Sequence, residues 1–304
     1  MKDLVNVKTT LKPSKPIIFL LLLRPKQWSK NLLLFAGLIF SYSFTNPVLI
    51  LYSLLGFISF CLLSSATYII NDILDIAEDR MHPLKKDRPI AAGLITPGQA
   101  VMKMITILLV ALALAWYINL HFFLSGLIYF LLTLSYSLWL KHIVIMDVFA
   151  IAFGFLIRAM AGAIAIGVSI SSWFLICTLL LSLFLALTKR RQESINLVGN
   201  GINHRRVLEH YPLPFLDQLI SIVTASTIMG YSLYTFTASK SDLFMITIPF
   251  VVYGIFRYLY LVYKQDLGES PEEILLKDKP LIINIFLWVI ISALILAFEQ
   301  GALL

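Results

Sequence analysis

Charged residues are scarce in this sequence. Only 13% of its 304 residues are Asp, Glu, Lys or Arg, whereas 59% are hydrophobic, and the mean hydropathy is +0.88. A soluble domain of this size would expose too much apolar surface to stay dissolved. This composition excludes an ordinary water-soluble globular protein and indicates a chain that folds within a membrane.

Cysteine and histidine are also rare. Cys61 and Cys177 are far apart and both fall within apolar runs, so they form no CxxC pair, and we interpret them as small core residues rather than redox groups. The five histidines show no HExxH or similarly paired spacing. The sequence therefore gives no indication of a zinc site or of a Cys or His nucleophile.

The chain consists mostly of long apolar runs. Crossing the hydrocarbon core takes about 20 mostly apolar residues, and we find roughly nine such segments: 18–41, 47–70, 97–120, 122–140, 144–167, 171–188, 213–239, 243–263 and 280–299. Because the loops are mostly short, we expect an all-α polytopic transmembrane bundle of about nine helices. It would form one domain over 1–304, with 1–14 a loosely ordered arm. Arg24, Lys26 and Lys30 interrupt the first segment only.

Lysine and arginine concentrate in alternate loops. They lie in the N-terminal arm and after segments two, four, six and eight, whereas the opposite loops carry little beyond Lys240. The positive-inside rule therefore predicts that the N-terminus and these basic loops are cytoplasmic. An odd number of spans would then leave Leu304 outside.

An acidic cluster ends the second segment. Asp72, Asp75 and Asp79 lie at i, i+3 and i+7, which is one face if the helix continues. An oxygen-binding cation would relieve their mutual repulsion, and Mg²⁺ prefers one or two carboxylates together with phosphate oxygens and water. The basic loop that follows, with Arg88, suits the same anionic ligand. We predict a Mg²⁺–diphosphate site; the alternative is a solvated acidic helix end.

Two helix starts are marked by capping residues. Thr96 and Pro97 have the N-cap and N1 character that would begin the third span. Ser270 to Glu273 is a capping box with proline at N1, so we expect a short cytoplasmic helix there.

The fifth segment carries two ionisable residues and many small ones. Asp147 and Arg158 are about three helical turns apart, so they share a face but are too distant to pair. Ionisable residues within a span are functional candidates. We predict that Asp147 faces the polar site and that Arg158 meets a phosphate or a carboxylate; a structural pairing is the alternative for Arg158. Its small residues, among them Gly154 and Gly162, favour close helix packing over a groove for a lipid chain.

The acidic run also resembles a known motif. The first Asp-rich motif of the UbiA superfamily of intramembrane prenyltransferases is similar to two consecutive runs of this sequence. They are Asn71-Asp72-x-x-Asp75-x-x-x-Asp79 and Asp87-Arg88-Pro89-Ile90-Ala91-x-Gly93. The resemblance implies a nine-helix bundle in which this motif binds Mg²⁺ and a diphosphate. The span count and the topology agree with it over most of the chain.

The second acidic motif of that superfamily is missing. At the end of the sixth segment, Lys189-Arg190-Arg191-Gln192-Glu193 stands in its place. This basic run resembles the decaprenyl-phosphate phosphoribosyltransferase subgroup of the superfamily. Three other stretches carry the same resemblance: Leu23–Asn31, Ser270–Glu273 and Asp278–Leu281. That resemblance implies transfer of 5-phosphoribose from phosphoribosyl diphosphate (PRPP) to a polyprenyl phosphate in a prokaryotic cell membrane, with no nucleic-acid partner.

The resemblance also implies roles for individual residues. Asp72, Asp75 and Asp79 would hold Mg²⁺, and Asp72, Asp75 and Lys189 would be catalytic. Lys26 and Lys30, at i and i+4, are predicted to form a phosphate clamp. An ionised phosphate monoester would attack without a strong base. The predicted substrate contacts are Lys26, Gln27, Lys30, Asn71, Arg88, Tyr136, Lys141, Asp147, Arg158, Lys189, Arg190 and Glu193.

Two other functions stay open. The first is a prenyltransferase that moves a prenyl group from its diphosphate to an aromatic or other small acceptor, and the missing second acidic motif argues against it. The second is a non-catalytic transporter or lipid-binding membrane protein. The sequence shows neither the internal repeats nor the paired broken helices typical of transporters.

Overall fold

In a computed structural model, helices form all regular structure of the described residues, which are 14–81, 85–200, 206–237, 242–265, 274 and 277–299. The predicted arm, apart from Ser14, and the predicted capping box at Ser270 lie outside them. The α-helices are α1 (Lys15–Leu23), α2 (Ala36–Phe40), α3 (Pro47–Leu74), α4 (Ile76–Met81), α5 (Pro97–Ile118), α6 (Leu120–Leu138), α7 (Met146–Ile166), α8 (Ser172–Asn200), α9 (Leu213–Thr237), α10 (Ile248–Gln265) and α11 (Lys279–Glu299).

Eight helical stretches among the described residues are long and apolar enough to cross a membrane. They are α3, α5 to α9, α10 with the 3-10 turn before it, and α11, and they match predicted segments two to nine. A helix of 20 residues is about 30 Å long, which is the thickness of the hydrocarbon core. The chain is therefore an all-α polytopic membrane protein, as predicted.

Polar caps begin several of these spans. The Asn46 side chain accepts the Val48 N–H before α3, and Asn119 accepts the Phe122 N–H before α6. Thr96 forms a full capping box with Gln99 at the start of α5, which confirms the predicted helix start. These side chains satisfy backbone N–H groups that have no partner within the first helical turn.

The first predicted segment differs from the other eight. Residues 18–41 form the end of α1, a 3-10 helix over Pro25–Phe35 and the short α2. The break occurs at Arg24, whose φ of 52° lies in the left-handed region. An L-residue leaves the α-helix at such a φ, and the residue before a proline also disfavours helical dihedrals.

Close backbone contact with α7 holds this broken segment in place. A Cβ added to Gly162 would lie 2.0 Å from the Leu34 carbonyl oxygen, and one added to Gly37 would lie 2.9 Å from Ala163 Cα. Irregular backbone at membrane depth is tolerated only where protein or a water-filled cavity surrounds it. At these points the small residues of α7 serve helix packing, which favours the packing interpretation over a lipid groove.

Arg158 supplies the polar part of the same contact. Its Nε donates to Asn31 Oδ1 at 2.7 Å, its Nη2 to the Tyr129 hydroxyl at 2.6 Å and its Nη1 to the Gly154 carbonyl at 2.8 Å. Asn31 is fully buried and also donates to Ser64. Within the described part of the chain Arg158 has no carboxylate partner. The structural alternative for this residue is therefore favoured over the predicted phosphate or carboxylate contact.

The acidic motif lies where α3 ends. The helix stops at Leu74, and Asp75 leaves helical geometry with φ −96° and ψ 15° before α4 begins. The segment from 85 to 95 then folds back and buries Ile90 and Ile95 against side chains of α1, α3 and α5. This apolar packing carries Arg88 to the end of α3.

We expect Gly162→Ala to destabilise the fold, because its Cβ would overlap the Leu34 backbone, which cannot move away as a flexible side chain would. Overpacking of this kind costs about 1–3 kcal/mol or more, measured as a lower thermal unfolding midpoint in detergent. Gly98→Ala is the matched control, since a Cβ on Gly98 meets no atom within 4 Å. Equal midpoints for the two variants would contradict this packing.

Candidate functional site

Antiparallel spans bring their charged residues together at one end of the bundle. α3 and α6 end there, α7 begins there, and α8 reaches it with its second half. Lys141, just after α6, bonds to Asp75 at the end of α3, and Arg190 on α8 bonds to Asp147 at the start of α7. We call this region the charged end.

Two arginines neutralise Asp72 and Asp79. Arg88 Nη1 lies 3.0 Å from Asp72 Oδ1 and 2.5 Å from Asp79 Oδ2, and the Arg24 guanidinium also contacts Asp72 Oδ1. Both aspartates are buried, with 1% and 3% of their surface exposed. One guanidinium thus lies between two carboxylates, where the sequence predicts a divalent cation.

Asp75 has a different partner. Its Oδ1 accepts a hydrogen bond from Lys141 Nζ at 2.8 Å, and its Oδ2 accepts one from Asn71 Nδ2 at 2.8 Å. The described residues contain no cluster of three carboxylate, Cys or His side chains. The predicted common face is therefore right for Asp72 and Asp79 but wrong for Asp75, because the helix breaks at Asp75 and turns its side chain toward Lys141.

Asp72 keeps one oxygen without a partner. Its Oδ2 is buried and accepts no hydrogen bond from any described residue. A buried, unsatisfied polar atom is costly, and each one calls for an explanation such as an ion or a water. Mg²⁺ needs only one or two carboxylates when phosphate oxygens and water complete its shell. The oxygen of Asp72, with Asp79 beside it, fits that requirement.

Arg190 lies where the second acidic motif is missing, and only 1% of its surface is exposed. Its Nε donates to Asp147 Oδ2 at 2.5 Å, its Nη1 pairs with Glu193, and its Nη2 donates to the Tyr136 hydroxyl at 3.1 Å. Since each guanidinium nitrogen already has a partner, the predicted direct phosphate contact is not favoured. Arg190 is arranged instead to position Glu193 and Tyr136.

Tyr211 completes this network, although no sequence pattern pointed to it. Its hydroxyl donates to Asp147 Oδ1 at 2.6 Å and accepts the Ile145 N–H at 2.6 Å. Ile145 has a φ of 72°, which is strained for a β-branched residue. Burial raises the pKa of the Tyr211 hydroxyl, and the bond to Asp147 acts in the same direction. The hydroxyl therefore stays protonated and holds the start of α7.

The basic residues before and within the 3-10 helix reach the same end. In the sequence, Arg24 is evident only as an interruption of the first apolar run, yet it contacts Asp72. Lys26 and Lys30 lie in a 3-10 helix, in which i aligns with i+3 rather than i+4. The i, i+4 spacing on which the predicted phosphate clamp is based therefore does not align these two lysines, and the clamp itself stays a prediction. Gln27 Oε1 lies 3.5 Å from the Tyr68 hydroxyl.

Two predicted lysines have no ionic partner among the described residues. Lys26 is exposed on the 3-10 helix, and Lys189 is partly buried on α8, next to Arg190. By contrast, Lys141 is buried and paired with Asp75. Lys26 and Lys189 are thus the predicted phosphate ligands whose ammonium groups are not already committed to a carboxylate.

We expect Tyr211→Phe to lower stability by about 1–3 kcal/mol, the cost of leaving a buried polar group unpaired. The variant keeps the ring but removes both the acceptor for Ile145 N–H and the donor to Asp147. The measurement is thermal unfolding in detergent. Tyr253→Phe is the control, because Tyr253 is exposed on α10 and its hydroxyl has no hydrogen bond to a described residue. Two variants that unfold together would argue against the network.

Comparison with known proteins places these features in a family. The model of the UbiA prenyltransferase family matches residues 32–290. A decaprenyl-phosphate phosphoribosyltransferase from Corynebacterium glutamicum is 33% identical over 277 residues, which is 88% of this chain and 83% of the relative. The protein of the same name from Mycolicibacterium smegmatis is 32% identical over 286 residues, which is 88% of each chain.

Solved structures agree on the fold. A UbiA homolog from Archaeoglobus fulgidus, determined with GPP and Mg²⁺ bound, superposes with a TM-score of 0.71 at 22% identity and covers 93% of this chain and 98% of its own. A digeranylgeranylglyceryl phosphate synthase structure superposes with a TM-score of 0.68 at 20% identity. The chain is a transferase and belongs to the UbiA prenyltransferase family.

Proposed function

We propose that this protein transfers 5-phosphoribose from PRPP to a polyprenyl phosphate and releases diphosphate. The observation that carries the proposal is the replacement of a second carboxylate cluster by Lys189 and the buried Arg190 network. The donor carries a diphosphate and a separate phosphate, and the acceptor carries a phosphate of its own. One metal site for the diphosphate and several basic side chains for the other phosphates match these groups. The names of the relatives over most of the chain support the same reaction.

The residues present fit a Mg²⁺ ion on the donor diphosphate. Asp72, through its unpartnered Oδ2, and Asp79 are the carboxylates that would hold it. When bound, the ion would neutralise charge on the leaving diphosphate. Asp75, committed to Lys141 and Asn71, would act by positioning those two side chains.

Arg24 and Arg88 would then change partners. In the structure they neutralise Asp72 and Asp79, so they compete with any cation for the same oxygens. With a metal held by Asp72 and Asp79, both guanidinium groups would be available to the phosphate oxygens, which arginine binds through paired hydrogen bonds. Donor and metal would therefore bind together rather than separately.

The chemistry requires no base from the protein. A bond forms between a phosphate oxygen of the acceptor and the anomeric carbon of the ribose, and the bond from that carbon to the diphosphate breaks. The acceptor is a phosphate monoester, which is largely ionised at neutral pH because its second pKa is about 6. Arg88, Lys141 and Lys189 would stabilise the negative charge that gathers on the leaving group.

We place the charged end at the cytoplasmic face of a prokaryotic cell membrane. Arg88 and Lys141, which come from two of the basic loops, lie at this end, and the positive-inside rule predicts that such loops are cytoplasmic. PRPP is a polyanion that cannot enter a bilayer, so a site that uses it must open to the aqueous side where it is available.

The test is transfer of label to lipid by the purified protein, supplied with polyprenyl phosphate and Mg²⁺. Label from PRPP is expected in the lipid fraction, and chelation of Mg²⁺ is expected to abolish it. Asp72→Asn should lower the rate by at least about 100-fold, the usual effect of removing a transition-state charge contact. Asp242→Asn, which changes an exposed aspartate on a 3-10 turn before α10, should not. Label that enters lipid only from a prenyl diphosphate would favour the prenyltransferase alternative.

Arg88→Gln is expected to change metal and donor affinity in opposite directions. Loss of the guanidinium removes the internal competitor for Asp72 and Asp79, so Mg²⁺ alone should bind more tightly. PRPP in saturating Mg²⁺ should bind about tenfold more weakly, as for one lost charge-assisted hydrogen bond. Titration calorimetry measures both affinities.

Arg80→Gln is the matched control for this variant. It removes a guanidinium from the neighbouring α4, where Arg80 Nε donates to the Ala91 carbonyl rather than to a carboxylate. It should leave both affinities near those of the unaltered protein. If Arg88→Gln weakened metal and donor alike, the exchange of partners would be refuted.

A further inference from the structure

Consecutive arginines on α8 point to different neighbours. Arg190 points inward to Asp147, whereas Arg191 points to Asp217 on α9 and to Tyr263 on α10. Arg191 Nε donates to Asp217 Oδ1 at 2.6 Å, and the guanidinium carbon lies 3.9 Å from the Tyr263 ring centre. The second arginine therefore belongs to a separate polar group with Asp217 and Tyr263, which we call the outer group, and 12% of its side chain is exposed.

This outer group has unused hydrogen-bonding capacity. Arg191 donates from Nε to Asp217 and also bonds to the Tyr263 hydroxyl, and the remaining N–H groups of its guanidinium bond to no other described residue. Asp217 Oδ1 accepts both Arg191 Nε and the Tyr263 hydroxyl, at 2.6 Å and 2.7 Å, whereas Oδ2 accepts from no described residue. The Asp217 side chain is 40% exposed. A cation and an anion thus stand side by side, each with an open position.

An apolar groove begins at Asp217 and Tyr263, the two partners of Arg191, and runs along α9 and α10. Its volume is about 710 Å³. The walls are Ile220, Ser221, Thr224, Ala225 and Ile228 on α9 and Phe256, Leu259, Tyr260 and Tyr263 on α10, with Asp217 at the mouth. Several of these aromatic side chains are exposed, as expected for a surface that faces lipid.

The length of the groove matches one leaflet of a bilayer. From Asp217 to Ile228 α9 rises about 16 Å at 1.5 Å per residue. Half of the hydrocarbon core is about 15 Å thick. The groove therefore suits an acyl chain of the leaflet next to the charged end, with its headgroup beside Arg191 and Asp217.

The paired charges select the headgroup. A phosphate accepts hydrogen bonds from the remaining N–H groups of the Arg191 guanidinium, which is a strong donor to phosphate oxygens. A primary ammonium donates to the open oxygen of Asp217. A headgroup with phosphate alone would meet the repulsion of that carboxylate, and a quaternary ammonium has no N–H to donate. The complementary headgroup carries both a phosphate and a primary ammonium.

We propose that the groove between α9 and α10 is a binding site for a phosphatidylethanolamine-type phospholipid. Arg191 holds the phosphate, Asp217 holds the ammonium and the groove below them holds an acyl chain. The site is separate from the inward-facing Arg190 network and does not depend on the transferase reaction.

The test is lipid binding by the full chain, measured by native mass spectrometry after reconstitution with phosphatidylethanolamine, phosphatidylglycerol, phosphatidylcholine or polyprenyl phosphate. The unaltered protein should retain phosphatidylethanolamine about tenfold more strongly than either other phospholipid, as for one charge-assisted hydrogen bond. Arg191→Gln should weaken retention of all three phospholipids. Asp217→Asn should abolish the preference and leave phosphatidylglycerol bound at least as well.

The Asp217→Asn result is a ratio between two lipids on one protein, so a partly unfolded sample lowers both and leaves the ratio interpretable. Asp242→Asn is the matched control, since that aspartate is exposed on a 3-10 turn away from the groove. It should keep the preference. Equal retention of the three phospholipids by the unaltered protein, or stronger retention of polyprenyl phosphate that Arg191→Gln abolishes, would overturn the proposal.

Discussion

A charge buried at the end of a membrane bundle must be neutralised by other parts of the protein, and this requirement organises the charged end. Asp72 and Asp79 are buried, and Arg88 lies between them. Asp147 is fully buried and bonded to Arg190. Because leaving one member of a buried pair alone is strongly destabilising, each of these side chains fixes the position of another. The loop and the helix ends that carry them are fixed as a consequence.

Under the proposed function, the same requirement would allow Arg88 to exchange its partners. Arg88 neutralises two carboxylates without saturating them, since Asp72 Oδ2 keeps no partner in the described structure. A divalent ion carries more charge than one guanidinium and can bind that oxygen as well. Its arrival would release Arg88 toward an anion, and the anion would in turn compensate the released arginine. Under the proposed function, the pairing seen in the structure would be the arrangement of the site before metal and donor bind.

The long apolar runs made most of the fold predictable, and local backbone geometry limited the rest. Segments two to nine were recognisable because length and hydropathy alone define a span, and Thr96 marked a helix start through its capping chemistry. The break at Asp75 was not predictable from spacing, which assumes a continuous helix. The left-handed φ of Arg24 had the same effect on the first segment, where it turned an expected α-helix into a 3-10 helix.

Residue type alone also failed to separate the two arginines of α8. A basic run suggests phosphate binding at every position, yet helical geometry turns successive side chains about 100° apart. Arg190 faces two carboxylates and Tyr136, which use all three of its nitrogens, so its charge serves the position of other groups. Arg191 faces one carboxylate and the ring and hydroxyl of Tyr263, so it keeps N–H groups that bond to no described residue. Whether an arginine of this run can bind a ligand depends on how many of its N–H groups already donate to other side chains of the protein. That number is set by the residues packed around it in the fold and cannot be seen in the run of basic residues.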